Sequence, residues 1–177
     1  MISSSTAFGL LVTAVAVERG LELVIARRNT RRLRVRGAVE VGAGHYPVMV
    51  ALHSAWLIAV LAEVFLLHRP FRWVLGMIML VLVVATQVLR YWVINTLGGR
   101  WTTRVLVLPG EPLVTDGPFR WLRHPNYLAV ALEVVALPLV HGAWWTALVF
   151  GVGNLLLLRH RVGVENRALA EFVGVVQ

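Results

Sequence analysis

Apolar runs of bilayer length limit what this chain can fold into. Residues 48–67 and 73–97 are mostly Leu, Val, Ile and Ala, and each is long enough to cross a hydrocarbon core of about 30 Å. A third run covers residues 6–26, and two shorter ones cover 128–140 and 143–158. Lipid offers no hydrogen bonds, so a segment buried in it must satisfy its own backbone, which these runs do as helices. The expected fold is all-α: a polytopic integral membrane protein with about five membrane-embedded helices. Of the 177 residues, 58% are hydrophobic and 15% charged, against about 25% charged in a soluble domain. Residues 1–177 read as one domain. Three spans fill 1–97; a polar loop, a helical hairpin and a C-terminal interfacial helix fill 98–177.

Net charge is +8 and all 17 basic residues are arginine. Such a charge could suit nucleic acid, but the arginines cluster beside apolar runs, which fits membrane topology and lipid headgroups instead. Six of them fall within residues 27–36, read as a basic loop that Gly37, Gly42, Gly44 and Pro47 keep from becoming a long helix. Residues 98–126 and the C-terminal segment are also arginine-rich, while the turn at 68–72 holds only Arg69 and Arg72. The positive-inside rule then puts the N-terminus outside and residues 98–126 in the cytoplasm. Residues 1–6 lack the basic region and cleavage site of a secretory signal, so the first run reads as a retained helix. The chain has no cysteine, hence no thiol nucleophile and no cysteine-ligated metal.

Polar residues inside the runs need a reason, because charge in hydrocarbon is costly and usually faces a bundle interior or a wet cavity. Glu18 and Glu22 share a face of the first helix, either toward the bundle or in its last turns at the interface. His53 and Glu63 lie ten residues apart in the second helix and do not share a face. Gln87 and Arg90 are neighbours on the third, where Arg90 either snorkels or faces a site. Glu133 and Asn154 sit in the hairpin.

The densest polar and aromatic stretch is Gly117-Pro118-Phe119-Arg120-Trp121-Leu122-Arg123-His124-Pro125-Asn126-Tyr127. Its Gly-Pro step reads as a turn, and Pro125 opens a helix, where its fixed φ is tolerated. The cluster therefore lies where a membrane helix leaves the interface, a place that can bind a polar cofactor and admit an apolar substrate. Arg161-x-x-x-Glu165 follows, with both side chains on one helical face.

Gly-Pro-aromatic, Arg-His-Pro-x-Tyr and Arg161-x-x-x-Glu165, together with Gly98-Gly99-Arg100-Trp101-Thr102-Thr103, resemble the isoprenylcysteine carboxyl methyltransferase superfamily over residues 85–172. Its members are integral membrane methyltransferases that use S-adenosyl-L-methionine. The resemblance implies that His124 hydrogen-bonds the cofactor's polar end. Pro112, Leu113, Val114 and Phe119 would line the cofactor, and Pro125, Asn126 and Tyr127 would close its pocket. Arg161 would hold the acceptor oxygen, with Trp101 and Arg90 as further substrate contacts. Glu165 would touch the cofactor or take the acceptor's proton. No metal is implied. Many relatives have two adjacent carboxylates where this chain has Glu165-Asn166, so a base at the second position would be missing here.

Arg19-Gly20-Leu21-Glu22-Leu23, Arg27-Arg28-Asn29, His45-Tyr46-Pro47 and Arg123-His124-Pro125-Asn126-Tyr127 most resemble the bacterial branch associated with type III polyketide synthases. That branch O-methylates alkylresorcinols and alkylpyrones. It implies a lipid-like partner in the membrane, a functional link to such a synthase, and no nucleic acid. The wider superfamily also methylates prenylcysteine carboxylates and phospholipid amines, and a non-catalytic membrane scaffold and a nicotinamide-dependent membrane reductase stand as further alternatives.

Overall fold

The computed structural model describes residues 2–173. Five helices make up most of it: α1 (Ser4–Val35), α2 (His45–Leu66), α3 (Trp73–Leu97), α4 (Pro125–Val140) and α5 (Trp144–Val173). Three helices, α2, α3 and α5, are long and apolar enough to cross a membrane, and α4 is a shorter apolar helix of 16 residues. Outward-facing Leu, Val and Ile on these helices form the apolar belt expected against lipid. The all-α expectation holds except for one small ladder. Strand β1 (Val39–Glu40) pairs antiparallel with β2 (Leu106–Val107), Val39 opposite Val107.

Helix boundaries depart from the sequence reading in three places. α1 does not stop at residue 26 but runs through the arginines to Val35. Arginine is a good helix former and no Gly or Pro intervenes before Gly37. The buried face continues at helical spacing through Glu22, Ala26, Asn29, Thr30 and Leu33. Pro47 does not break α2; it sits in the first turn, where a missing N–H costs nothing. The C-terminal segment is not a separate interfacial helix. α5 is continuous for 30 residues, about 45 Å, because one face carries buried Asn154, Leu158, Arg161, Val164 and Ala168 across the interface without a change of phase. Gly163 does not interrupt this helix.

One end of the bundle is a tight apolar core. Phe8, Val12 and Val15 of α1 pack with Trp56, Val60 and Val64 of α2, with Val83 of α3 and with Val134, Leu137 and Val140 of α4. Glu63 closes this end. Its carboxylate accepts from Arg69 Nε (3.0 Å) and Nη2 (2.7 Å), from the Trp145 and Thr146 amides (3.2 and 2.7 Å) and from Thr146 Oγ1 (2.8 Å). It thus caps α5 with an anion at its N-terminus, where the free amides and the helix dipole both favour one. His141, in the α4–α5 turn, lies 3.2 Å from Ser4 Oγ through Nε2, so the start of α1 is at this end too.

At the other end α1 and α2 no longer pack face to face, and the 98–124 loop lies across the gap. Gly117 makes its sharp turn possible: φ is +58°, and a Cβ there would come within 2.4 Å of Thr96 Oγ1 on α3. Asn29 ties α1 to the loop, donating to the carbonyls of Gly98 (3.1 Å) and Trp101 (2.9 Å).

Two expectations follow. Glu63→Ala removes the acceptor for two helix amides, the Thr146 hydroxyl and Arg69, so thermal unfolding in detergent should show a loss of about 1–3 kcal/mol. Single cysteines placed at exposed Arg72 and Asp116 should react with an impermeant thiol reagent from opposite faces of the membrane; reaction from one face would contradict this arrangement.

Candidate functional site

The gap between the splayed helices is a cavity of about 580 Å³, within the range that holds cofactor-sized ligands. All five helices and the 98–124 loop line it. Every site residue expected from the sequence is on its wall: Arg90, Trp101, Pro112, Leu113, Val114, Phe119, His124, Pro125, Asn126, Tyr127, Arg161 and Glu165.

Arg161, Tyr127, Glu165 and His124 form one connected group. Arg161 and Glu165 come from the same face of α5 and do not pair directly; the Tyr127 hydroxyl stands between them. It donates to Glu165 Oε2 and accepts from Arg161 Nε at 3.4 Å. Arg161 is buried, with Nη2 donating to the Thr103 carbonyl at 3.0 Å and Nη1 against Met49 Sδ. His124, the residue just before α4, has acceptors at both ring nitrogens. Glu165 Oε1 is 3.6 Å from Nδ1 and Asn166 Oδ1 is 3.0 Å from Nε2. The Glu165 carboxylate is the main cause of a raised His124 pKa; burial opposes it and Asn166 adds to it. Asn166, which replaces an expected second carboxylate, is thus an acceptor for His124.

A second polar group lies among the helices. Arg19 of α1 donates to Glu22 (Nη1, 2.7 Å), Glu18 (Nη2, 3.2 Å) and Gln87 Oε1 (Nη2, 2.7 Å). Arg90 of α3 pairs with Glu133 of α4 and lies 3.7 Å from Glu22. Glu22 therefore faces the bundle, and Arg90 faces the cavity with its guanidinium already committed to Glu133. Trp101 is 3% exposed, packed on Ala26, Val93 and Phe119.

Buried polar atoms without a partner gather around this cavity. Arg19 Nε, Glu22 Oε1, Arg90 Nε, Trp101 Nε1, Asn126 Oδ1, Glu133 Oε1 and Asn154 Oδ1 all belong to lining residues. Leaving such atoms unsatisfied costs free energy that water or a polar ligand would recover.

Arginine–carboxylate links roof the cavity. Glu40 of β1 joins Arg34 to Arg104, and Glu111 joins Arg36 to Arg100. Burial alone would raise the Glu40 pKa, but Arg104 and Arg34 hold it below the usual carboxylate value. Arg104 also lies 4.0 Å over the Tyr46 ring. The sequence offered no signal for these links, whose partners are up to 75 residues apart. The inner cluster did have one: each member is a charge inside an apolar run.

The raised His124 pKa carries a sign. Its contacts stabilise the fold fully below the ordinary histidine value of about 6.5 and lose that contribution as pH rises through the raised folded value. Melting temperature should therefore fall across that window, and His124→Gln should flatten the fall in thermal melts at stepped pH.

Comparison with known proteins gives the site a lineage. The chain is 39% identical over 166 residues to the uncharacterized protein YpbQ of Bacillus subtilis, covering 93% of this chain and 98% of that one. It is 29% identical over 153 residues to an uncharacterized protein of Haemophilus influenzae, covering 86% and 88%. Residues 77–171, more than half of the chain and the part that carries α3, the loop, α4 and most of α5, match a named methyltransferase family. The chain belongs to the isoprenylcysteine carboxyl methyltransferase (ICMT) family.

Proposed function

We propose that this protein is an S-adenosyl-L-methionine-dependent O-methyltransferase whose acceptor is a lipid-like molecule, the ring hydroxyl of an alkylresorcinol or alkylpyrone. The observation that carries this reading is the single cavity. It is polar where α4 and α5 leave the membrane, apolar along its walls, and bordered by every residue the family resemblance singles out.

The donor set suits the cofactor. Glu165 Oε1, whose nearest partner is His124 at 3.6 Å, offers an acceptor to its cationic end, the His124 Nδ1 held only by that loose contact offers a donor to its carboxylate, and Leu113, Val114 and Phe119 offer apolar walls to its adenine. When bound, the cofactor supplies an electrophilic methyl group. The protein's share is alignment and electrostatics. Tyr127 keeps Glu165 and Arg161 at fixed separation, and Arg161 presents a buried positive charge to an oxygen gaining negative charge.

An alkyl tail partitions into the bilayer with about 0.8 kcal/mol per buried CH₂, so a site between helices meets the acceptor at high local concentration. The ring-hydroxyl class follows the resemblance to the polyketide-associated branch, and a type III polyketide synthase would then supply the acceptor. The arginine-rich end, with residues 98–126, faces the cytoplasm in this reading, where the cofactor is made.

His124→Ala should weaken cofactor binding tenfold or more by calorimetry, since a hydrogen bond to a charged group is worth about 1.5–3 kcal/mol. Arg161→Ala should leave cofactor affinity unchanged and impair methyl transfer. Membranes given labelled cofactor with an alkylresorcinol, an alkylpyrone and a farnesylated cysteine analogue in parallel test the acceptor class. Methylation of the farnesylated analogue alone would refute it.

A further inference from the structure

We propose that His53, in the middle of α2, is the proton acceptor of this site, and that the site is therefore built for an acceptor that arrives protonated: a neutral phenol or enol, not a carboxylate. The inference rests on the methyltransferase reading above.

His53 lines the cavity and is 2.9 Å from the Met49 carbonyl through Nδ1. A carbonyl can only accept, so Nδ1 carries the hydrogen and Nε2 holds a free lone pair. Among the described residues Nε2 has no hydrogen-bond partner, and it is not among the sealed-off polar atoms. The ring is held edge-on to Trp56, with centroids 6.4 Å apart. Trp56 is itself fixed by donating Nε1 to the Val134 carbonyl at 3.1 Å. The imidazole thus has a set tautomer, a set orientation and an unused basic nitrogen at the cavity wall.

The other candidates are occupied. Glu165 Oε2 accepts from Tyr127 and Oε1 faces His124 at 3.6 Å, so its charge is already shared between two partners. Asn166 is an amide and cannot take a proton. Around His53 the charged groups within electrostatic reach are Arg90 of α3, Glu133 of α4 and Arg161 of α5. Arg19 and Glu22 of α1 border the same cavity, as do His124, Tyr127 and Glu165. Once the proton has moved, Glu133, whose Oε1 lacks a hydrogen-bond partner, supplies negative charge toward the imidazolium.

The step balances. The acceptor's O–H bond breaks and its proton goes to Nε2; the oxygen takes a methyl from the sulfonium donor, and the C–S electron pair remains on sulfur as a thioether. A carboxylate acceptor releases no proton at neutral pH and would leave His53 without a task.

The test uses the full chain in detergent, wild type against His53→Gln. Cofactor affinity by calorimetry should be equal in the two. Methylation of an alkylresorcinol at pH 7 should drop about 100-fold or more, the lower end of general-base effects, and the deficit should shrink as pH rises and the acceptor ionises unaided. Without cofactor, a long-chain alkyl nitrophenol, coloured as its anion, should ionise at lower pH on wild type than on His53→Gln. As a second variant, His53→Ala should regain activity with added imidazole. Equal probe midpoints, or a His53→Gln rate within about threefold of wild type, would overturn the proposal and leave the methyltransferase reading intact. So would a wild type that binds cofactor but methylates only the farnesylated cysteine analogue. A wild type that neither binds cofactor nor methylates any acceptor would overturn the methyltransferase reading itself, and this proposal with it.

Discussion

A charge in hydrocarbon has to be answered by another charge, and the cluster of Arg19, Glu22, Arg90 and Glu133 is how this chain does so. Removing one member of a buried ion pair costs several kcal/mol because the partner is left uncompensated. That penalty acts as a register constraint. It admits one rotation of α1, one of α3 and one of α4, those that bring the four side chains together. Once the rotations are fixed, the cavity is fixed, because the same faces form its inner wall. The cluster does not saturate its own hydrogen bonds.

The two ends of the bundle solve different problems. At the Glu63 end, apolar packing and one carboxylate on two helix amides hold the helices together. At the other end the helices part, and pieces distant in sequence cover the opening: the β1–β2 ladder, the arginine–carboxylate links above it, and a loop turned sharply at Gly117. Rigidity at one end permits openness at the other. The site is assembled from the open end, where residues can meet polar and apolar partners at once.

Much of this was legible in the sequence, and the limits have physical causes. The α3 limits follow directly from its apolar run, and those of α2 come within three residues. α1 was cut short because arginines were read as a loop, when arginine favours helix and the buried face at Asn29, Thr30 and Leu33 continued in phase. The candidate residues at 117–127 stood out in the sequence because turn chemistry and a family pattern coincide there, and Phe119, His124, Pro125, Asn126 and Tyr127 meet at one cavity. What the sequence could not express was commitment. Arg90 reads as a free cation until Glu133 is seen beside it, and Asn166 reads as a lost carboxylate until it is seen at His124. His53 and Glu63, ten residues apart on one helix, serve opposite ends of the molecule, so His53 stood without a role until the cavity wall was visible. Residues 105–108 read as a short extended segment, but their partner at 39–40 is distant in sequence and no local signal announces the pairing.

α5 works as a ruler. Its first turn is fixed by Glu63 at one end of the bundle, and its Arg161 and Glu165 are read out at the other, with no break in the helix between them. The height and the compass bearing of the site are therefore counted in residues from Trp144. Each residue contributes about 1.5 Å of height and 100° of bearing. Evolution can vary side chains along this helix freely, but the number of residues between clamp and site is quantised. Adding or removing one turns Arg161 away from the cavity. A compensating change of three or four roughly restores its bearing but shifts it by about 4.5–6 Å, off the level of Tyr127. Helix length is thus part of the active-site specification.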